Sequence, residues 1–512
     1  MATTAREEPA SHDLKAHKGL SEDSLSFTGT LAIGLASVAP AYSLAATLGY
    51  VVIETGVLAP IAVILGFLPM VLTAFAYREL NHVAPDCGTT FTWVTKAFGP
   101  KTGWFSGWVL TLAGIIVLAN LTQVGAQYTF YLIGADDFAA STLWVTVLGV
   151  FFLALMTYVS YRGIEIANWL QNVLVAIQYI ALAILVVVAF VAIAGVNRSE
   201  IAIDISASWF NPLEFFKDGG GGWGALTEGM ILMVFIYWGW DTILSINEET
   251  KDRANTPGRA ALASTVILLA TYLLTTIAAV SYAGVGTTGI GLGNEANADD
   301  VFSVIGEPIL GDWQWIVLLA VLVSAISSTQ TTILPAARGT LAMGVYRAIP
   351  KAFAETHPKF MTPSTSTMFI GVTATIIYIA LSLLGENVYG DVLLAIGLMI
   401  AFYYGITAYA CVWYFRQDIR GGGKALWMKG ILPLLGALML TFAFFKSAID
   451  MLSPDYGYLG ELGGIGSVFL FGMGTILLGL PIMFILMRRE EQKPFFAGET
   501  LHRDTPILVP EE

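Results

Sequence analysis

Residues 230–242 read MILMVFIYWGWDT. A single glycine, Gly239, sits inside an aromatic cluster, and one acid, Asp241, follows it while the residues around stay apolar. A carboxylate at mid-membrane depth is costly unless it faces water, a partner or the interior of a helix bundle. An earlier stretch answers this one. Residues 30–42 read TLAIGLASVAPAY, with Gly34 and Pro40 bracketing a run of small residues. Proline removes a backbone donor and disfavours helix just before itself. Taken alone, the first stretch reads equally as a proline kink with glycine for packing. Asp241 alone reads equally as a structural acid bonding a neighbouring helix. The fold turns on reading the two together, so breaks are expected near Ala36–Ala39 and Tyr237–Trp240.

The rest of the chain supplies the setting. Of 512 residues, 56% are apolar and 12% charged, against about 25% charged in an average soluble domain. That shortfall excludes a disordered chain, a nucleic-acid binder and most soluble enzymes. The 52 glycines suit close helix packing and helix breaks within a membrane. The formal charge of −13 argues nothing about partners, because in a membrane protein the placement of charge matters more than its sum. Cys87 and Cys411 lie in unlike surroundings, so neither a disulfide framework nor a metal cage is expected. No histidine falls in an apolar stretch, which leaves no membrane imidazole for a proton relay. The first 25 residues lack a signal-peptide pattern, so insertion is expected to be directed by the first span.

A bilayer-spanning helix needs roughly 20 apolar residues. Twelve stretches qualify, at about 27–53, 57–77, 104–133, 140–161, 169–196, 226–247, 261–284, 314–337, 366–385, 390–415, 430–449 and 463–487. Placing the N-terminus inside puts 22 of the 25 lysines and arginines on the cytoplasmic side and leaves three (Arg198, Lys217 and Lys446) outside. The positive-inside rule therefore orients both termini to the cytoplasm.

Spans one and six, which carry the two irregular stretches, are five apart. Interrupted helices at corresponding places in two halves are the best sequence pointer to a transport site. Five is odd, so the second unit must be inverted relative to the first. Freed backbone groups at that depth are tolerated only where they line a cavity. Half-helix N-termini attract a carboxylate and bare carbonyls attract an ammonium. A zwitterionic amino acid offers both.

The connecting segments resemble a known family. Residues 77–93 read YRELNHVAPDCGTTFTW, followed by AFGP at 97–100 and GWFSGW at 103–108. Glu248-Glu249 with Lys251, Pro257 and Arg259 follows span six, and Arg338, Met343 and Pro350 end span eight. This ordered set is similar to the amino acid–polyamine–organocation permeases. The resemblance implies an all-α membrane protein of twelve transmembrane helices, with a five-plus-five inverted repeat of leucine-transporter type and two further C-terminal helices. The divisions expected are a tail (1–25), a first repeat (26–196), an extracellular loop (197–225), a second repeat (226–415), helices eleven and twelve (416–487) and a C-terminal tail (488–512), the last expected to be unstructured.

The resemblance also implies roles. The substrate carboxylate would meet N–H groups around Ala36, Ser37 and Val38, and the ammonium would meet carbonyls near Gly34, Phe235 and Trp238. Phe235 would be an aromatic lid and Trp240 a pocket wall, and a ring closing over an ammonium gains cation–π attraction. Asn120 and Gln123 in span three are candidates for the pocket or for helix bonding. Ser324, Ser327 and Ser328 in span eight offer oxygens to a sodium ion. Gln178 stands where some members carry a lysine in place of sodium, and Asp241 is the candidate proton carrier. The family's first break is usually glycine-rich and its sixth-span acid usually Glu; here they are Ala36-Ser37-Val38 and Asp241.

The expected function is secondary active transport of an amino acid or related amine across the cytoplasmic membrane by alternating access, proton-coupled in preference to sodium-coupled. A polyamine or organic-amine importer is the alternative. Neither the polar rings of a channel nor the clustered residues of an enzyme are evident. No P-loop motif is present. The partners expected are the small-molecule substrate, a coupling proton or sodium ion and the lipid bilayer, with the chain a monomer or homodimer. No cofactor is expected.

Overall fold

The computed structural model describes residues 17–196, 198–385, 388–457 and 459–508. Helices dominate it; the only strands among the described residues are two of two residues each, Glu461–Leu462 and Ile465–Gly466. Span one is split into Phe27–Val38 and Pro40–Thr55. Spans two to five are Ala59–Val83, Pro100–Leu132, Thr142–Arg162 and Ile164–Val191. Span six is split into Gly222–Ile236 and the short Thr242–Ser245. Spans seven to ten are Thr256–Ala283, Trp315–Val345, Ser364–Ser382 and Val388–Tyr414. Spans eleven and twelve are Leu432–Asp450 and Ser467–Met487.

Burial separates inner from outer helices. Span eight is buried almost throughout. Span four exposes Leu143, Val147, Phe151, Leu155 and Tyr158, a stripe at helical spacing. Span nine exposes Met368, Val372, Ile376 and Ile379 in the same way. Apolar stripes of this size on the perimeter are what a hydrocarbon environment covers.

The helix contacts carry the repeat. Span one packs on six, two on seven, three on eight and four on nine. Several further contacts fall into matched pairs when five is added to or subtracted from each span number, although span one on eight has no counterpart of comparable size between six and three. One-on-seven is matched by six-on-two, one-on-five by six-on-ten, and three-on-nine by eight-on-four. Three-on-ten is matched by eight-on-five, and two-on-ten by seven-on-five. Two five-helix units related by a pseudo-twofold produce this pattern, while unrelated halves have no reason to. Spans eleven and twelve both pack against span ten, outside the pairing.

The bundle has a basic end and an acidic end. Among the described residues, the basic end gathers 17–26, the 84–99 connection, 247–255 and 488–508. That last segment is docked rather than unstructured. Phe495 is fully buried, with its ring 5.6 Å from that of Phe91, and Lys96 donates to the carbonyls of Arg503 (3.3 Å) and Thr505 (2.5 Å). Scattered charge hid an apolar anchor that the fold covers.

Candidate functional site

Both breaks form where expected. In span one the chain leaves the helix at Ala39 alone, at φ 52° and ψ 62°, and re-enters at Pro40. Proline at the first helical position has no N–H to lose and its fixed φ suits the start of a helix. In span six the helix ends at Ile236, and Gly239 turns the chain at φ 113° before the short helix begins at Thr242. A β-carbon on Gly239 would lie 2.8 Å from the Ser37 carbonyl oxygen. The absent side chain therefore lets the two breaks touch. Ser37 Oγ and Thr242 Oγ1 meet across them at 2.7 Å.

Neighbouring side chains take up the freed backbone groups. Ser328 donates to the Ser37 carbonyl (2.8 Å) and Ser43 to the Val38 carbonyl (2.7 Å). The Tyr42 N–H donates to Ser324 Oγ (3.2 Å). The Tyr272 hydroxyl donates to the Ile236 carbonyl (2.8 Å). Two of the three span-eight serines thus meet the first break. Ser327 does not; it donates to Gln171 of span five, in a separate network with Gln330.

The donor positions differ from the expectation. Ala36, Ser37 and Val38 form the last turn of the first half-helix, where amides are bonded inward and carbonyls are left over. The amide-rich terminus at this break begins instead at Ala41 and Tyr42 of the second half-helix. A break of one residue moves the available N–H groups past the proline.

A cavity lies against both breaks. Val38, Leu110, Val117, Leu121 and Phe235 give it an apolar wall. Asp241 is its one charged lining residue among those described. The Asp241 carboxylate accepts from the hydroxyls of Tyr404 (2.8 Å) and Tyr403 (3.1 Å) of span ten. Trp238 lines the cavity too and donates its ring N–H to Tyr403. Trp240 is fully buried outside it, edge-on to Tyr77 at 5.1 Å. Gly34 is likewise outside, pressed so close to Ile243 that a β-carbon would lie 2.2 Å from it. Gln178 is buried and, among the described residues, neither of its amide atoms has a partner; it does not line the cavity.

Asn120 and Gln123 line a different cleft, toward the acidic end. Tyr42 joins the two spaces, since it lines the cavity and its hydroxyl donates to Asn120. Gln123 accepts from Tyr378 at 3.0 Å. Sequence reasoning missed Tyr42, Thr242, Tyr403 and Tyr404. Tyrosines are common in membrane helices, and only the fold shows that two adjacent ones converge on the acid.

At the basic end, span one is held to the segment after span six. The Leu25 N–H donates to the Glu249 carbonyl (3.0 Å), and the Lys251 N–H to the Leu25 carbonyl (2.9 Å). Lys18, fully buried, bonds Asp86 (2.8 Å) and Glu248 (2.7 Å). Burial alone would lower the Lys18 ammonium, but the carboxylates of Asp86 and Glu248 outweigh it and hold it well above its ordinary value. Arg338 grips Glu249 through two bonds of 2.6 and 2.8 Å. The first half-helix is thus clamped at the basic end.

A sequence model described as amino acid permease matches residues 25–458. The chain is 23% identical over 424 residues to a branched-chain amino acid permease of Lactococcus lactis, covering 80% of this chain and 85% of that one. It is 23% identical over 430 residues to the human large neutral amino acids transporter small subunit 2, covering 83% of this chain and 72% of the relative. A branched-chain amino acid permease of Bacillus subtilis is 23% identical over 336 residues, 62% of this chain and 66% of its own length. The family match spans both broken helices and the clamp from Leu25 onward, and the chain belongs to the amino acid permease family of the amino acid–polyamine–organocation superfamily.

Proposed function

We propose that the protein is a secondary active transporter of amino acids with apolar side chains, coupled to protons through Asp241. The observation that carries this reading is the cavity at the touching breaks. It offers half-helix termini of both signs, an apolar wall and one carboxylate held by two tyrosines. Half-helix termini suit an α-carboxylate and an α-ammonium, and the wall suits an aliphatic side chain. The names of the bacterial relatives point to the same class.

The two units at 26–196 and 226–415 carry the breaks, and 416–487 adds helices eleven and twelve. Phe235 is the lid, and Ser324 and Ser328 hold the first break. The protein lies in the cytoplasmic membrane with both termini inside, as the 22-to-3 split of basic residues indicates.

Proteoliposome uptake tests this. Leucine accumulation is expected under a pH gradient without sodium, with accumulation lost in Asp241→Asn and impaired in Phe235→Ala at normal expression. Accumulation driven by sodium alone, with Asp241→Asn active, removes the proton role and transfers coupling to the serines. A second reading, an organic-amine importer, is favoured by the acidic end, where Glu54, Glu228, Glu295, Asp299 and Asp455 line adjoining clefts. Competition of leucine uptake by spermidine, and not by valine, would select it.

A further inference from the structure

A cleft of about 520 Å³ opens at the basic end, away from the breaks. Its walls are the end of span two (Arg78, Glu79), the start of span seven (Arg259) and the segment leading into span eleven (Lys424, Lys429). Four cations face one carboxylate. Arg78 is paired with Glu79 at 2.5 Å, and Lys429 with Asp418, outside the lining, at 2.8 Å. Arg259 and Lys424 have no carboxylate partner among the described residues, and both are exposed. The cleft therefore carries two uncompensated positive charges.

The walls are fixed before anything binds. Asn81 donates to the carbonyls of Arg253 (2.9 Å) and Ala254 (3.3 Å) and accepts from Asn247 (2.8 Å), which pins the turn before span seven to span two. A β-carbon on Gly258 would lie 2.4 Å from Arg78 Cγ, so the two walls are in contact. Span seven, Thr256–Ala283, presents its N-terminal turn to the cleft, and Asn255 makes no side-chain cap there. The positive end of its helix dipole adds to the attraction for an anion.

The surroundings identify the depth. Trp427, between Lys424 and Lys429 in the chain, is 55% exposed, and Trp413 at the end of span ten is 51% exposed. Arg416 lies 4.8 Å over the Trp413 ring. Exposed tryptophans beside basic side chains mark the level of lipid headgroups, and basic pockets between membrane helices take anionic headgroups.

We propose that this cleft binds the phosphate of an anionic phospholipid from the adjoining leaflet, with Arg259 as the two-pronged donor and Lys424 as the second charge. A bound headgroup would bridge spans two and seven to span eleven. Span two packs on six and span seven on one, the two broken helices, so the lipid would tie those helices to the outer scaffold.

Purified protein in neutral detergent tests it, by lipid retention in native mass spectrometry and by thermal shift. Phosphatidylglycerol should be retained and raise Tm, while phosphatidylcholine does neither. The Arg259→Gln/Lys424→Gln double variant should weaken phosphatidylglycerol retention at least about tenfold, because two charge-assisted contacts are lost. The charge-preserving Arg259→Lys/Lys424→Arg variant should keep most of it, which separates charge from misfolding. Wild-type retention in the double-Gln variant overturns the site. A Tm shift of the same variant sensitivity with glycerol phosphate alone overturns the lipid as its source and leaves a soluble phosphate ester.

Discussion

Gly239 carries two constraints at once: its φ of 113° is one that side chains rarely adopt, and a β-carbon there would collide with the Ser37 carbonyl. Strain of this kind costs on the order of 1–3 kcal/mol, and the collision adds to it. Gly239→Ala should therefore push the breaks apart and abolish substrate binding, with only moderate loss of thermal stability. Normal substrate-induced stabilisation in that variant would show that the contact between breaks is dispensable. Ser324 and Ser328 permit a sharper separation. Each meets a buried backbone group, and leaving one unsatisfied costs about 1–3 kcal/mol. As caps, Ser324→Ala and Ser328→Ala should lower Tm equally with and without sodium. If wild-type Tm rises with sodium and these variants lose that rise alone, the serines are ion ligands.

The N-terminal segment is the element whose role sequence composition least suggests. Lys18 of this segment stands between two buried carboxylates, and the backbone bonds at Leu25 continue the attachment to the start of span one. Removing one partner of a buried ion pair costs roughly 3–5 kcal/mol. Lys18→Ala should thus free the first half-helix, seen as faster hydrogen exchange over 27–38 and accessibility from the basic end. Adding Asp86→Asn and Glu248→Gln removes the orphaned charges and should recover stability without restoring closure. Unchanged exchange over 27–38 in Lys18→Ala would mean that the backbone bonds and Arg338–Glu249 suffice. Burial works against the Asp86 carboxylate, yet Lys18 outweighs it and holds the group below its ordinary range. A depressed acid contributes stability above its unfolded pKa of about 4. Strong acid, below that value, should loosen the same clamp.

At the scale of the whole molecule, the acidic end has its own titrating contact. Asp300 caps the helix Val301–Leu310 and accepts from Tyr128 of span three. Burial, with help from Asp299, pushes its carboxyl up to about 6. A raised acid favours the folded state in its protonated form. Its contribution is complete below an unfolded value of about 4 and is lost as pH rises to 6. Lowering pH from 7.5 to 5 should therefore raise the Tm of the wild type relative to Asp300→Asn. A difference between the two proteins that does not vary with pH would reject the assignment.

The sequence alone determined the class of the protein, because hydrocarbon requires long apolar helices and pays no regard to which helix packs where. Charge in the connections points to an orientation, and Pro40 and Gly239 marked two breaks, since glycine and proline act on the backbone within a residue or two of themselves. Proline even located the first break to within a few positions. Which groups surround those breaks was decided only by tertiary structure. Ser328 and Ser327 are adjacent, yet they point about 100° apart on a helix and serve different networks. Tyr403 and Tyr404 reach Asp241 across 162 and 163 residues of chain. Lys18 finds Glu248 across 230. Such contacts depend on how distant helices meet, and no local pattern encodes that meeting.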